Sequence, residues 1–235
     1  MASLFTVLFV AVMCYVILML FKYLSKKKEE KPETGGIKNI IFDVGQVLVD
    51  YDWETYLDSF GFEPAKRERI AKATFQSPVW DERDRGLYEE DVYLKQFQEL
   101  DPEDAEDIEK VIRGTGGTIH KRPYADTWVK YLKSKGYHLY ILSNYASYMI
   151  DHTKKELTFR KEMDGEVFSC YVNQLKPEPE IYQTILDKYQ LKPEESVFID
   201  DRPENCQGAQ KQGIHTICFG DFKQVAADLE KLGVK

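Results

Sequence analysis

Three short apolar runs in this chain each end on a polar cluster. Ile40-Ile41-Phe42 stops at Asp43, Tyr140-Ile141-Leu142 stops at Ser143-Asn144, and Val197-Phe198-Ile199 stops at Asp200-Asp201. Runs this short, rich in β-branched and aromatic residues, predict buried strands rather than helices. Between and after them the spacing becomes helical. Pro123 to Lys135 is predicted as a helix stopped by Gly136, and it leads into a strand at Tyr137 to Leu142. Ile181 to Tyr189 and Pro203 to Gln212 are predicted as helices, the second stopped by Gly213. Ile214 to Phe219 is a further strand, and Asp221 is expected to cap the last helix. Strand and helix in alternation predict an α/β fold built on a Rossmann-like parallel sheet with helices on both faces.

Two segments depart from that rhythm. From residue 51 to 119 strand character stops. Trp53 to Phe60 closes at Gly61, Pro64 to Phe75 tolerates proline in its first turn, and Tyr88 to Phe97 carries apolar residues at helical spacing. Asp101 is expected to cap a helix that runs through Ile112. Gly114-Thr115-Gly116-Gly117 lacks the Lys-Ser or Lys-Thr pair of a phosphate loop and is read as a hinge. The other segment is residues 4–24, whose run from Leu4 to Phe21 carries no charge. A helix of that length, at about 1.5 Å per residue, crosses a hydrocarbon core of about 30 Å with its flanks. No Lys or Arg precedes the run, which argues against a cleaved signal peptide. Lys22, Lys26, Lys27, Lys28 and Lys31 follow it, which predicts a single-pass N-terminal transmembrane helix with the rest of the chain on the cytoplasmic side. The expected organisation is an anchor at 1–24, a polar tether at 25–36, an α/β core at 37–50 and 120–235, and a helical block at 51–119.

Composition narrows the picture only slightly. An apolar share of 43% in 235 residues allows a sizeable core, and a net charge of −8 lacks the basic footprint of nucleic-acid binding. Cys14, Cys170, Cys206 and Cys218 form no metal-type or redox-type spacing and are read as buried thiols. His120, His138, His152 and His215 are scattered and suggest neither a zinc site nor a triad.

The chemistry lies in the polar clusters. In a parallel sheet, ligands bind outside the carboxyl ends of the strands. Asp43, Ser143-Asn144 and Asp200-Asp201 would therefore share one rim. Lys176 lies in a Pro-bounded loop before a helix and completes the set. By itself Asp43-Val44-Gly45 is read equally well as a site and as a strand followed by a turn. A carboxylate, a hydroxyl, an amide, a lysine and an acidic pair together are the inventory of phosphoryl transfer with a divalent metal. Ser143 has no Gly-x-Ser-x-Gly elbow around it, so a serine-hydrolase reading is set aside.

With those residues in place, nearly all of 37–235 resembles the haloacid dehalogenase-like superfamily, in particular its phosphatases with a small helical cap, including sugar-1-phosphate phosphatases. Asp43, Ser143, Lys176 and Asp200-Asp201 match that family's four motifs in order. The resemblance implies that 51–119 is a cap inserted after the first strand. It implies Asp43 as nucleophile, with Lys176 as its catalytic partner, and an aspartyl-phosphate that water hydrolyses. Ser143, Asn144 and Lys176 would bind phosphate. Asp43, the Gly45 carbonyl and Asp201 would hold Mg²⁺, and Asp200 would stand behind them or add a ligand. In the cap, Arg85 is a candidate substrate contact, set against a salt-bridged helix end.

Gly45 departs from the pattern, because most phosphatases of the family carry an aspartate there as general acid. Either the leaving group is a good one, such as an anomeric oxygen or an acyl phosphate, or Asp50, Asp52 or a cap residue supplies the proton, or the protein binds without cleaving. The expected function is a membrane-tethered, Mg²⁺-dependent phosphatase for a small phosphorylated metabolite, a sugar 1-phosphate among the candidates. The alternatives are a 2-haloacid dehalogenase and a non-catalytic binding protein at the membrane.

Overall fold

Each of the three apolar runs forms a strand of one five-stranded parallel sheet. The computed structural model describes residues 36–235. Its strands are β1 (Asn39–Phe42), β2 (Val49–Tyr51), β3 (Ile119–Lys121), β4 (His138–Ser143), β5 (Gly165–Phe168), β6 (Ser196–Asp200) and β7 (His215–Cys218). The sheet order is β5-β4-β1-β6-β7, and every pairing in it is parallel. Side chains alternate across the sheet, so Ile40 and Phe42 of β1 face one layer and Ile41 faces the other. The first layer contains α6 (Ala125–Ser134) and α11 (Phe222–Lys231), which bury Trp128, Val129, Val225 and Leu229 against Phe42 and Ile141. The second contains α9 (Pro179–Tyr189) and α10 (Pro203–Lys211), which bury Ile181, Ile185 and Ala209 against Ile41 and Phe198. Burying side chains of this size contributes about 1.5–3 kcal/mol each.

The residues after β1 form α1 (Trp53–Asp58), α2 (Pro64–Ala73), α3 (Pro78–Arg85), α4 (Glu90–Leu100) and α5 (Ala105–Arg113). These helices share a separate apolar cluster that includes Leu57, Ile70, Phe97 and Ile112. Strand character continues past Asp50 to Tyr51, because β2 pairs antiparallel with β3 where the chain returns. The glycine-rich hinge is a short 3₁₀ turn leading into β3. Asp221 caps α11 by accepting from the Gln224 N–H at 2.9 Å. Asp101 makes no capping bond; it opens a 3₁₀ turn before α5.

Four short elements were not expected from the sequence. They are β3, β5, α7 (Ser147–His152) and α8 (Ser169–Val172), and each is too short to show a period. Cys170 and Cys206 are buried, whereas Cys218 is exposed, a correction to the uniform buried reading. The expected membrane helix at 1–24 and nearly all of the tether at 25–36 lie outside the described residues. Among the described residues no helix is long and apolar enough to cross a membrane.

Candidate active site

The sheet places the site. β1 is flanked by β4 and β6, so the crevice opens at the carboxyl end of β1, where the connections turn to opposite sides. The ladder carries on one step beyond β1, with the Asp43 N–H donating to the Ile199 carbonyl at 2.9 Å. Asp43 is held further by the Val44 N–H, which donates to its Oδ1 at 2.7 Å.

Lys176 reaches the same point from the loop before α9. Its Nζ lies 2.8 Å from Asp43 Oδ1 and 2.6 Å from Asp200 Oδ2, and all three side chains are buried. Burial pushes Asp43 up to about 6 against the pull of Lys176, with Asp200 adding to the rise. For Lys176, burial acts to lower the pKa, but Asp200 and Asp43 outweigh it and keep the ammonium charged. Asp201 is raised by burial and by Asp200 beside it.

Asp200 is saturated with donors. Besides Lys176 it accepts from the Arg202 N–H at 2.8 Å and from Asn205 Nδ2 at 3.0 and 3.1 Å. It therefore acts mainly as the brace for Lys176. Asp43, Asp200 and Asp201 each bring a carboxylate oxygen to within 4.8 Å of the others, the one such metal-type cluster among the described residues. Two atoms nearby are buried without a partner, Ser143 Oγ and Asn205 Oδ1. An unpaired buried polar group costs about 1–3 kcal/mol, so such atoms mark a place that a ligand completes. The Ser143 hydroxyl is near enough to help lower the Asp43 pKa.

Two residues do something other than expected. The Asn144 amide donates to the Lys176 carbonyl at 3.0 Å and accepts from the Lys176 N–H at 2.8 Å. Its side chain therefore positions the Lys176 backbone. Arg85 does not line the cavity. It makes a bidentate pair with Glu178, at 2.9 and 2.7 Å, and also touches Glu82 at 3.2 Å. The salt-bridged helix end is the correct reading, and the substrate contact is withdrawn.

The cavity over Asp43 has a volume of about 310 Å³. Gly45 lies on its wall. Neither Asp50 nor Asp52 does. Asp50 pairs with Arg122 at 2.9 Å, and Asp52 caps α1 by accepting from the Thr55 N–H at 3.0 Å. The carboxylates of α3 that do face the cavity are Asp81 and Asp84, and Asp84 is the more buried of the two. Burial pushes Asp84 up to about 7, opposed by Arg83 and supported by Asp81. Position 84 sits inside Asp81-Glu82-Arg83-Asp84-Arg85, and no local pattern in that run separates it from the charged residues around it.

A family profile described as haloacid dehalogenase-like hydrolase matches residues 37–213. A flavin mononucleotide hydrolase of Arabidopsis thaliana is 25% identical over 211 residues, covering 89% of this chain and 83% of that protein. The bifunctional epoxide hydrolase 2 of Rattus norvegicus is 34% identical over 107 residues, 43% of this chain and only 19% of that protein's length. Among solved structures, a Bacteroides thetaiotaomicron enzyme in complex with magnesium and inorganic phosphate superimposes with a TM-score of 0.64 at 22% identity, covering 81% of this chain and 99% of that one.

Proposed function

The chain belongs to the haloacid dehalogenase-like hydrolase family, and on that footing we propose that it is a Mg²⁺-dependent phosphatase acting through a phosphorylated Asp43. The observation that carries this reading is the buried Lys176 bridging Asp43 and Asp200 at the ends of adjacent strands. A relative that hydrolyses flavin mononucleotide and a neighbour holding phosphate and magnesium support it.

An Asp43 oxygen attacks phosphorus while the ester P–O bond breaks. The displaced oxygen takes its proton from Asp84, whose raised pKa leaves a substantial protonated fraction near neutrality. Water then attacks the phosphoryl group on Asp43, giving its proton to the Asp84 carboxylate and releasing inorganic phosphate. Lys176 and the Ser143 hydroxyl meet the phosphoryl oxygens, and Lys176 offsets their repulsion from Asp43. The donor set fits a hard cation. Asp43, Asp201 and the Gly45 carbonyl would hold it, and Asn205 Oδ1 stands free to accept from a water beside it. When bound, Mg²⁺ would neutralise phosphoryl charge.

The carboxylate cluster argues against a haloacid dehalogenase, where charge neutralisation by a cation is not needed. The retained Asp43–Lys176 pair argues against a pure binding role. Placement at a membrane through residues 4–24, with the catalytic region cytoplasmic, belongs to the same proposal and rests on the sequence alone. The test is phosphate release by native protein and Asp43→Asn, with Mg²⁺ and with chelator. Release is expected from native protein with metal only. Equal release by Asp43→Asn would sink the covalent reading.

A further inference from the structure

We infer that the alcohol portion of the substrate is apolar, a hydrocarbon or aromatic-ring alcohol carrying a single phosphate, and not a sugar. This deepens the proposed function and rests on it. Away from Asp43 the cavity walls are Tyr51, Trp53, Phe75, Trp80, Ile119 and Met149. Four of these are aromatic rings that brace one another. Tyr51 stacks on Trp80 with centroids 6.1 Å apart, Trp53 stacks on Phe75 at 5.2 Å, and Phe75 meets Trp80 at 4.9 Å. They come from β2, the start of α1, the turn after α2, and α3. The chain therefore assembles this wall from four separate places.

Two of the polar groups beside the rings are already committed. Gln46 donates to the Tyr51 carbonyl and accepts from Arg122, and the Tyr145 hydroxyl pairs with Thr153. A polyol here would find acceptors at Asp81 and Asp84 but few along the ring wall, whereas an apolar group gains contact with four rings. The charges on the cap side are both negative. Asp81 and Asp84 line the cavity, while Arg83 is tied to Glu90 and Arg85 to Glu178. A second phosphate or a carboxylate on the alcohol would meet Asp81 and Asp84, and the lining cation opposite them, Arg202, is already paired with Glu204 at 2.7 Å.

The experiment measures kcat/KM with Mg²⁺ for 1-naphthyl phosphate, n-octyl phosphate, glucose 1-phosphate and acetyl phosphate. In parallel, binding of the first three to Asp43→Asn is followed by tryptophan fluorescence or calorimetry. Apolar phosphates are expected to exceed glucose 1-phosphate at least tenfold in both readouts. Trp80→Ala, with Met149→Lys as a second variant outside the aromatic cluster, is expected to shrink that ratio at least fivefold, chiefly through KM. Glucose 1-phosphate equal to or better than the apolar esters, with acetyl phosphate hydrolysed, would overturn this inference and leave the phosphatase standing. No hydrolysis of any ester, with apolar phosphates still bound tenfold more tightly, would overturn the phosphatase and leave the apolar ligand class standing. Equal binding of all three would overturn the inference in either case.

Discussion

Gly45 leaves room that the chain does not use. A Cβ built there meets nothing within 4 Å, and its backbone is not left-handed, so a side chain enters without strain. The site therefore lacks an acid at position 45 by composition and not by sterics. In the proposed mechanism Asp84 supplies that proton. As an acid it must be protonated to act, so hydrolysis of alkyl phosphates should fall as pH rises through about 7. Asp84→Asn is expected to slow alkyl phosphates by about 10²-fold or more and to remove that limb of the pH profile, acid catalysis being worth about 10²–10⁴-fold. Gly45→Asp in the same background should restore much of the loss. Kinetics of both variants across pH check this, and an unchanged profile in Asp84→Asn would assign the proton elsewhere. Asp43, Ser143, Lys176 and the acidic pair could be read from the sequence because each ends a strand or sits in a Pro-bounded loop. Asp84 could not, because its placement depends on how α3 lies over the sheet.

Helix α3 joins the helical block at 51–119 to the loop that carries Lys176. Arg83 is buried and forks onto Glu90 at 3.0 and 2.6 Å, Asp84 enters the cavity, and Arg85 grips Glu178 two residues after Lys176. Gly86 ends the helix at φ 72°, and a Cβ there would lie 2.6 Å from the Cys170 carbonyl oxygen. Gly136 has a similar φ of 88° with nothing within 4 Å. Gly136→Ala should therefore cost only the left-handed penalty, about 1 kcal/mol. Gly86→Ala should cost clearly more and also lower activity, since α8 must part from α3. At about 2–4 °C per kcal/mol for a chain this size, melting curves separate the two. Equal losses would mean that α3 adjusts freely. The strands and most long helices were legible because burial on one or both faces sets their period. β5, Gly-Glu-Val-Phe, was not, because four residues with one glycine carry too little pattern at a sheet edge.

The whole molecule has concentrated negative charge at one rim. Burial raises both Asp43 and Asp201, so the folded form holds protons at a pH where the unfolded chain has lost them. Stability from these groups is present below an unfolded pKa of about 4 and falls as pH rises toward about 6. A cation that binds only the folded form offsets this cost. Mg²⁺ at a hundred times its Kd should add about 2.7 kcal/mol, with a larger gain at pH 7.5 than at pH 5. Thermal unfolding with and without the metal reads this directly, and no shift at pH 7.5 would argue that the carboxylates hold no ion. The most direct measurement is of the covalent intermediate itself. Native protein mixed with 1-naphthyl phosphate or acetyl phosphate and Mg²⁺ is quenched in acid within milliseconds and digested for mass spectrometry. One phosphoryl group is expected on the peptide carrying Asp43, absent from Asp43→Asn and lost when the quench is delayed past substrate exhaustion. Phosphate release in full with no phosphorylated Asp43 at any time would contradict the account.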